Sequence, residues 1–316
     1  MYIGIDIGGT AIKIGLVDNE GNIVYKKQID TKAQRGYSEI EKDIISLIKS
    51  LLNIAEDNGS RVKSIGIGIP GVADPEGNKI IYCTNLGWTN VPLGENLKKE
   101  FDIPIYIEND ATVAGIAESI KGVTKGYKNS IFITLGTGVG GGIIIDGKVY
   151  SGVHGTGSEI GHMIVGENFY DCNCGNNGCL ETFSSATAVI KYAKKLIEEE
   201  QCETTLLEKV NNDLMKLNSK IIFDSAKEGD QLANKVVDRM VRYLGIGITN
   251  LINVLDPDVI AIGGGVSKAG DFLLEKVRKE VSKYVLYKEV KHAEIFLAEL
   301  GNDAGIIGAA LLSEYK

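Results

Sequence analysis

Three of the chain's five cysteines and one of its three histidines fall between His162 and Glu181, in HMIVGENFYDCNCGNNGCLE. His162, Cys172, Cys174 and Cys179 are nitrogen and sulfur donors of the kind zinc takes in tetrahedral structural sites. The GNNG stretch between Cys174 and Cys179 supplies turn residues that let the backbone fold around an ion. A disulfide between Cys172 and Cys174 is the rival reading, disfavoured if the compartment is reducing. On spacing alone His154 competes with His162 as the fourth ligand.

A second set of candidate residues lies at glycine-rich turns. GIDIGGTAIK places Gly8, Gly9 and Thr10 between two apolar stretches, and TLGTGVGGG does the same with Gly136, Thr137, Gly138 and Gly140. IGGGVS places Gly263 to Gly265 between a strand pattern and a helix pattern. Exposed N–H groups and hydroxyls at such turns hold phosphate oxygens, and glycine permits close approach. GTGVGG formally matches a dinucleotide fingerprint, but a strand follows it where that fingerprint needs a helix. Two matched hairpin turns favour a nucleotide site shared by two domains. Two carboxylates accompany the turns. Asp6 ends the first strand, and Asp110 stands where a strand meets a helix N-terminus, either as a proton acceptor or as a helix cap beside Asn109.

The elements that position these residues follow from periodicity. Residues 2–29 read as three strands, residues 37–57 as an amphipathic helix, and VKSIGIGIPG as a buried strand. A short helix near 93–100 precedes a strand in IPIYIEND and a helix beginning at DATVAGIAESI. SIFITLGTGVGGGIIIDGKVYSG then repeats the layout of residues 2–29, which suggests two similar α/β domains. Residues 186–255 are mostly helical, and NDAGIIGAALLSEYK reads as a closing helix. The expected division is an N-terminal domain over 1–120 and a C-terminal domain over 121–302. The latter holds the loop 162–181 and the helical segment, and the last helix, about 303–316, packs back on the former.

Bulk composition narrows the function classes. The 316 residues carry a formal net charge of −8, with 44% hydrophobic and 24% charged residues. No basic stripe is available for nucleic acid or a membrane surface. No apolar run is long enough to span a bilayer, and the N-terminus lacks a signal-peptide pattern. Cys83 and Cys202 stand apart from the cluster, and an odd cysteine count fits a reducing cytoplasm.

Taken in order, DIGGT, ENDA, GTGVGGG, GSEIGHMIV, CNCGNNGCLE and IGGG resemble the ROK family of sugar kinases and repressors along essentially the whole chain. The EIGH and CxCGxxGCLE blocks are the specific part. The resemblance implies the actin-like, ribonuclease-H-like ATPase fold: two similar domains with an interdomain cleft. It implies Asp110 as catalytic base, and Asn109, Glu159, His162 and Glu181 as sugar ligands together with Gly71, Thr84 and Asn85. Asp6, Gly8, Gly9, Thr10, Lys13, Gly136, Thr137 and Gly138 would serve the phosphates and Mg²⁺ of ATP, and Gly264 and Gly265 the adenosine. His162, rather than His154, would join Cys172, Cys174 and Cys179 on a structural Zn²⁺. TNLGWTNVPL resembles a loop of the glucokinase branch, although Cys83-Thr84 replaces the usual Ser-Pro. The first DIGGT turn leaves no room before it for a repressor's DNA-binding domain. The expected activity is ATP-dependent phosphorylation of the 6-hydroxyl of an aldohexose, glucose foremost. N-acetylmannosamine, N-acetylglucosamine, fructose or allose are alternative substrates, and a sugar-responsive regulator is the alternative outside enzymes. A cytoplasmic homodimer or homotetramer is the expected form.

Overall fold

The computed structural model describes residues 1–200 and 203–316, so Cys202 lies outside it. The chain divides into two compact units. One comprises Met1–Phe132, Gly142–Ser158 and Glu299–Lys316, the other Ile133–Gly141 and Glu159–Ala298.

In the first unit β1 (Tyr2–Ile7), β2 (Ala11–Val17) and β3 (Ile23–Asp30) form an antiparallel meander, followed by α1 (Tyr37–Asp57) and β4 (Ile65–Ile69). A small sheet of β5 (Val72–Ala73), β6 (Ile80–Cys83) and β7 (Trp88–Val91) comes next. Then follow α2 (Leu93–Glu100), β8 (Ile105–Asn109) and α3 (Asp110–Lys121). The main sheet has the order β3-β2-β1-β4-β8, with β1, β4 and β8 parallel.

Alternation in YIGIDI and IGIGI decides how this sheet is covered, because successive residues of a strand face opposite sides. The isoleucine face, with Ile3, Ile5, Ile7, Ile65, Ile67 and Ile69, packs with Ile40, Ile44 and Ile48 of α1 in one buried cluster. The other face carries Gly4, Gly66 and Gly68. A Cβ on Gly4 would lie 2.0 Å from the Ile306 carbonyl oxygen, and one on Gly66 would lie 1.7 Å from that of Ala309. Both carbonyls belong to α10 (Ala304–Ala310), which therefore rests on the strands backbone to backbone. A Cβ on Gly308, on the far side of that contact, would sit 1.6 Å from the Val113 carbonyl oxygen of α3.

The second sheet holds β9 (Ser130–Leu135), β10 (Val139–Ile145), β11 (Lys148–Val149), β12 (Val259–Gly263) and β13 (Glu294–Leu297). Its order, β11-β10-β9-β12-β13, matches that of the first sheet strand for strand, in keeping with the internal repeat. Between β11 and β12 lie α4 (Glu181–Ser184), α5 (Ala186–Glu200), α6 (Thr205–Lys209), α7 (Ser219–Lys227) and α8 (Gln231–Leu255). Helix α9 (Asp271–Tyr284) joins β12 to β13. The closing helix is shorter than its sequence pattern suggests. The α-helix ends at Ala310 and Leu312–Glu314 continue as a 3-10 turn; the Tyr315 carbonyl takes the Val149 N–H at 3.0 Å and Ser313 meets Ser64 at 3.0 Å. Among the described residues no helix is long and apolar enough to cross a membrane.

The glycine face gives a direct test. Gly66→Ala forces a methyl into the Ala309 carbonyl and should cost about 3 kcal/mol, at the upper end of ordinary overpacking. Urea unfolding measures it, and a loss below about 0.5 kcal/mol would show that α10 moves away freely.

Candidate functional site

The candidate residues fall into two groups, one in each unit. In the first unit they gather at the C-terminal ends of the parallel strands, where open α/β sheets bind ligands. Asp6 is level with Gly68 in the β1–β4 register, and Asn109 with Ile69 in the β4–β8 register. Asp6 pairs with Lys13 at 3.1 Å. A Cβ on Gly305, in the first turn of α10, would lie 2.8 Å from the Asp6 Oδ2. A residue with no side chain at that point lets the carboxylate lie against the helix start. The Gly8–Thr10 turn closes tightly: the Gly8 N–H donates to the Ala11 carbonyl at 2.9 Å and the Thr31 hydroxyl to the Gly8 carbonyl at 2.6 Å. Gly9 faces Asn85 in the turn Thr84–Leu86, where Thr84 and Asn85 are both exposed.

Asn109 and Asp110 divide two roles that the sequence left joined. Asn109 is the N-cap of α3, its side-chain oxygen accepting from the Ala111 and Thr112 N–H groups at 2.9 and 3.3 Å. Its amide nitrogen donates to the Gly71 carbonyl at 3.2 Å. Gly71 is confined, since a Cβ there would lie 2.2 Å from the Tyr82 carbonyl oxygen. Asp110 is the first helical residue, half-buried, and its Oδ1 accepts from the Ala111 N–H at 2.8 Å. The first turn of a helix favours negative charge at that point. Cys83 is fully buried, and its thiol is pushed up to about 11, first by burial and further by the nearby negative Asp110. It acts as a neutral packing residue there.

In the second unit the Gly136–Gly138 turn joins β9 to β10, closed by the Gly136 N–H on the Gly138 carbonyl at 3.0 Å. Helix α5 fixes it from one side: the Ala186 N–H donates to the Gly136 carbonyl at 2.8 Å and the Thr187 hydroxyl to the Thr137 carbonyl at 2.7 Å. Gly264 has φ +87°, and a Cβ on it would lie 2.5 Å from the Leu135 carbonyl oxygen, so this turn abuts the end of β9. Beside Gly136 and Gly265 there is open space.

The cysteine loop is a small knuckle held by bridges between Ile164 and Cys179 and between Asp171 and Asn177. Donor atoms of His162, Cys172, Cys174 and Cys179 all lie within 4.8 Å of one another. The Cys174 and Cys179 sulfurs are 3.5 Å apart, and the Cys172 sulfur is 3.7 Å from His162 Nδ1. A tetrahedral zinc with ~2.3 Å bonds to sulfur needs donor separations of about 3.8 Å, so the set fits such an ion. All three thiols are free, and His162 rather than His154 completes the set. A backbone N–H from Asn176 lowers the Cys174 thiol to about 7, whereas burial raises that of Cys179 to about 12. The far side of the imidazole faces Glu159, with Nε2 4.0 Å from Oε2. Burial raises the Glu159 carboxyl, with His162 opposing and Glu181 reinforcing the shift, although its side chain keeps 46% exposure.

Glu181 contributes a contact the sequence did not disclose. Its Oε2 accepts the Val139 N–H at 2.9 Å, immediately after the glycine turn, and its Oε1 faces the Cys172 sulfur at 3.8 Å. The place of Gly305 beside Asp6 went unread for the same reason. Each pairs residues far apart in the chain, and only the Asn-Asp-Ala-Gly start of the last helix hinted at the second.

Two sheets of identical strand order, each with a glycine turn between its first two strands, define an actin-like ATPase fold. A family model described as the ROK family matches residues 2–316, and the chain belongs to that family. The glucokinase of Halalkalibacterium halodurans is 40% identical over 98% of this chain and 94% of its own length. A ROK family glucokinase from Streptomyces griseus, solved in complex with glucose and AMPPNP, has a TM-score of 0.80 at 33% identity, covering 98% of both chains. A putative xylose repressor of a Caldicellulosiruptor species is 29% identical over 99% of this chain and 77% of its own length.

The cluster predicts near-stoichiometric zinc in the purified protein. Cys174→Ser should abolish that zinc and lower the melting temperature, because metal binding and local folding are coupled. Elemental analysis and thermal unfolding of both proteins check it, and a wild-type protein fully folded without metal would overturn it.

Proposed function

We propose that the chain is an ATP-dependent glucose kinase. The observation that carries this reading is Asp110: a half-buried carboxylate at the start of α3, with Asn109 capping the helix and, in the same sheet, a glycine turn at the end of β1, two strands away from β8. The glucokinase relatives supply the substrate class. Asp110 accepts the proton of the sugar 6-hydroxyl as O6 bonds to the γ-phosphorus. The bond from that phosphorus to the β–γ bridging oxygen breaks, and ADP leaves. Phosphoryl transfer depends chiefly on positioning and charge neutralisation.

Gly8, Gly9, Thr10, Gly136, Thr137 and Gly138 present turn backbone and hydroxyls to the phosphates, and Gly264 and Gly265 give the adenosine side close approach. Mg²⁺ with ATP would neutralise phosphate charge; Asp6 is the carboxylate that would serve it, and Lys13 pairs with that carboxylate at 3.1 Å. Asn109, Glu159, His162 and Glu181, with Gly71, Thr84 and Asn85, would hold the sugar hydroxyls. His162, Cys172, Cys174 and Cys179 would hold a structural zinc, which would fix the orientation of His162, and its Nε2 lies 4.0 Å from Glu159 Oε2. A ligand-binding regulator is the second reading, favoured by the repressor relative.

A coupled ADP-release assay over glucose, fructose, allose, N-acetylglucosamine and N-acetylmannosamine separates these readings. Glucose should give the highest kcat/KM, and binding without turnover on every sugar would favour the regulator. Asp110→Asn should keep the fold and sugar binding and lower kcat by ~10²–10⁴-fold. A turnover within threefold of wild type would reduce Asp110 to a structural role. Asp6→Asn should raise the KM for Mg²⁺–ATP and leave the sugar KM nearly fixed, and the opposite pattern in steady-state kinetics would overturn its assignment.

A further inference from the structure

The Val139 N–H opens β10 directly after the Gly136–Gly138 turn, and it donates to Glu181 Oε2 at 2.9 Å across 42 residues of sequence. The carboxylate lies so close over the turn that a Cβ on Gly138 would be 2.2 Å from Oε2. A side chain at position 138 would have to displace the Glu181 carboxylate from the turn. The other side of the turn is already tied, through its carbonyls, to the start of α5. Glu181 itself is the first residue of α4, two positions after Cys179, and its Oε1 faces Cys172. The Leu180 N–H donates to the Met163 carbonyl at 2.8 Å, next to His162. One carboxylate thus joins the cysteine knuckle to the glycine turn, and every atom in this chain of contacts belongs to the second unit.

We infer that Glu181 is a positioning residue for the nucleotide: its Oε2 holds the Gly136–Gly138 turn in the shape that receives the phosphates of ATP, whether or not sugar is present. This rests on the kinase reading given above, and it gives Glu181 a task separate from any contact with sugar. A carboxylate accepting a backbone N–H makes one of the stronger hydrogen bonds available, because one partner is charged. A neutral glutamine in its place keeps an acceptor oxygen at the same reach, whereas alanine leaves the Val139 N–H without a partner and the turn free on that side.

The experiment measures binding of the non-hydrolysable analogue AMPPNP with Mg²⁺ by calorimetry, without sugar, to wild type, Glu181→Gln and Glu181→Ala. Zinc content and melting temperature are recorded for each, together with hydrogen exchange of the peptide spanning residues 135–141. Roughly tenfold weaker AMPPNP binding is expected for Glu181→Ala, in line with losing one charge-assisted hydrogen bond, with faster exchange at that peptide. Glu181→Gln should stay within about threefold of wild type, since its amide oxygen still accepts the same bond. Unchanged AMPPNP affinity in a folded, zinc-loaded Glu181→Ala protein would overturn the inference, as would equal loss in both variants. Should Glu181→Ala not fold, wild-type exchange at residues 135–141 in Glu181→Gln together with AMPPNP binding weakened beyond threefold would overturn it equally. Failure of wild type to bind AMPPNP at all would instead count against the kinase reading.

Discussion

The contact of α10 on β1 and β4 is the constraint from which the first unit's geometry follows. It is made by main chain on main chain. Gly4 and Gly66 offer no side chain, and the carbonyls of Ile306 and Ala309 occupy the space a Cβ would need. A helix normally stands about 10 Å off a sheet because side chains fill the gap. Removing them on one face brings the helix in, and Gly308 then lets α3 approach α10 from its other side. Both helices that begin beside candidate site residues, α10 near Asp6 and α3 at Asp110, are set by this one packing choice. The opposite face does the conventional work of burying apolar area, with isoleucines against α1.

The acidic residues sort by how completely their oxygens are engaged. Glu118 is almost wholly buried and accepts the N–H groups of Val123, Glu299 and Leu300, which makes it a clamp on backbone. Glu108, also buried, accepts the Asn109 N–H and the Ser151 hydroxyl and pairs with Lys316. Buried charge is tolerated when its hydrogen-bonding capacity is filled in this way. Glu159 differs: burial raises its carboxyl without a comparable set of donors, and its side chain stays partly open. Groups of that kind are the ones available to a ligand.

What the sequence disclosed was local. The Ile-Gly alternation, the glycine hairpins, the Asn-Asp junction and the Cys/His spacing each lie within a few residues, and each appears where its pattern places it. The repeat of strand–turn–strand–turn–strand was enough to anticipate two similar α/β domains, and the two sheets have matching strand orders. The capping question at Asn109-Asp110 could not be settled from residue types, since both are good caps; coordinates assign the cap to Asn109. The contacts that stayed hidden join distant segments: Glu181 with Val139, Gly305 with Asp6, and Tyr315 with Val149. No periodicity reports on such pairs, because they arise only once the sheets have formed.

A junction made of main chain also has a consequence for how the protein can change over evolution. Where two side chains touch, a larger one on one side can be matched by a smaller one on the other, and the pair drifts together. Gly4, Gly66 and Gly308 face carbonyl oxygens, and every amino acid has a carbonyl oxygen. No substitution at Ile306, Ala309 or Val113 can restore the missing room. These glycines should therefore stay fixed across descendants while sharing no correlated variation with the residues they touch. Statistical coupling would leave these close approaches unmarked.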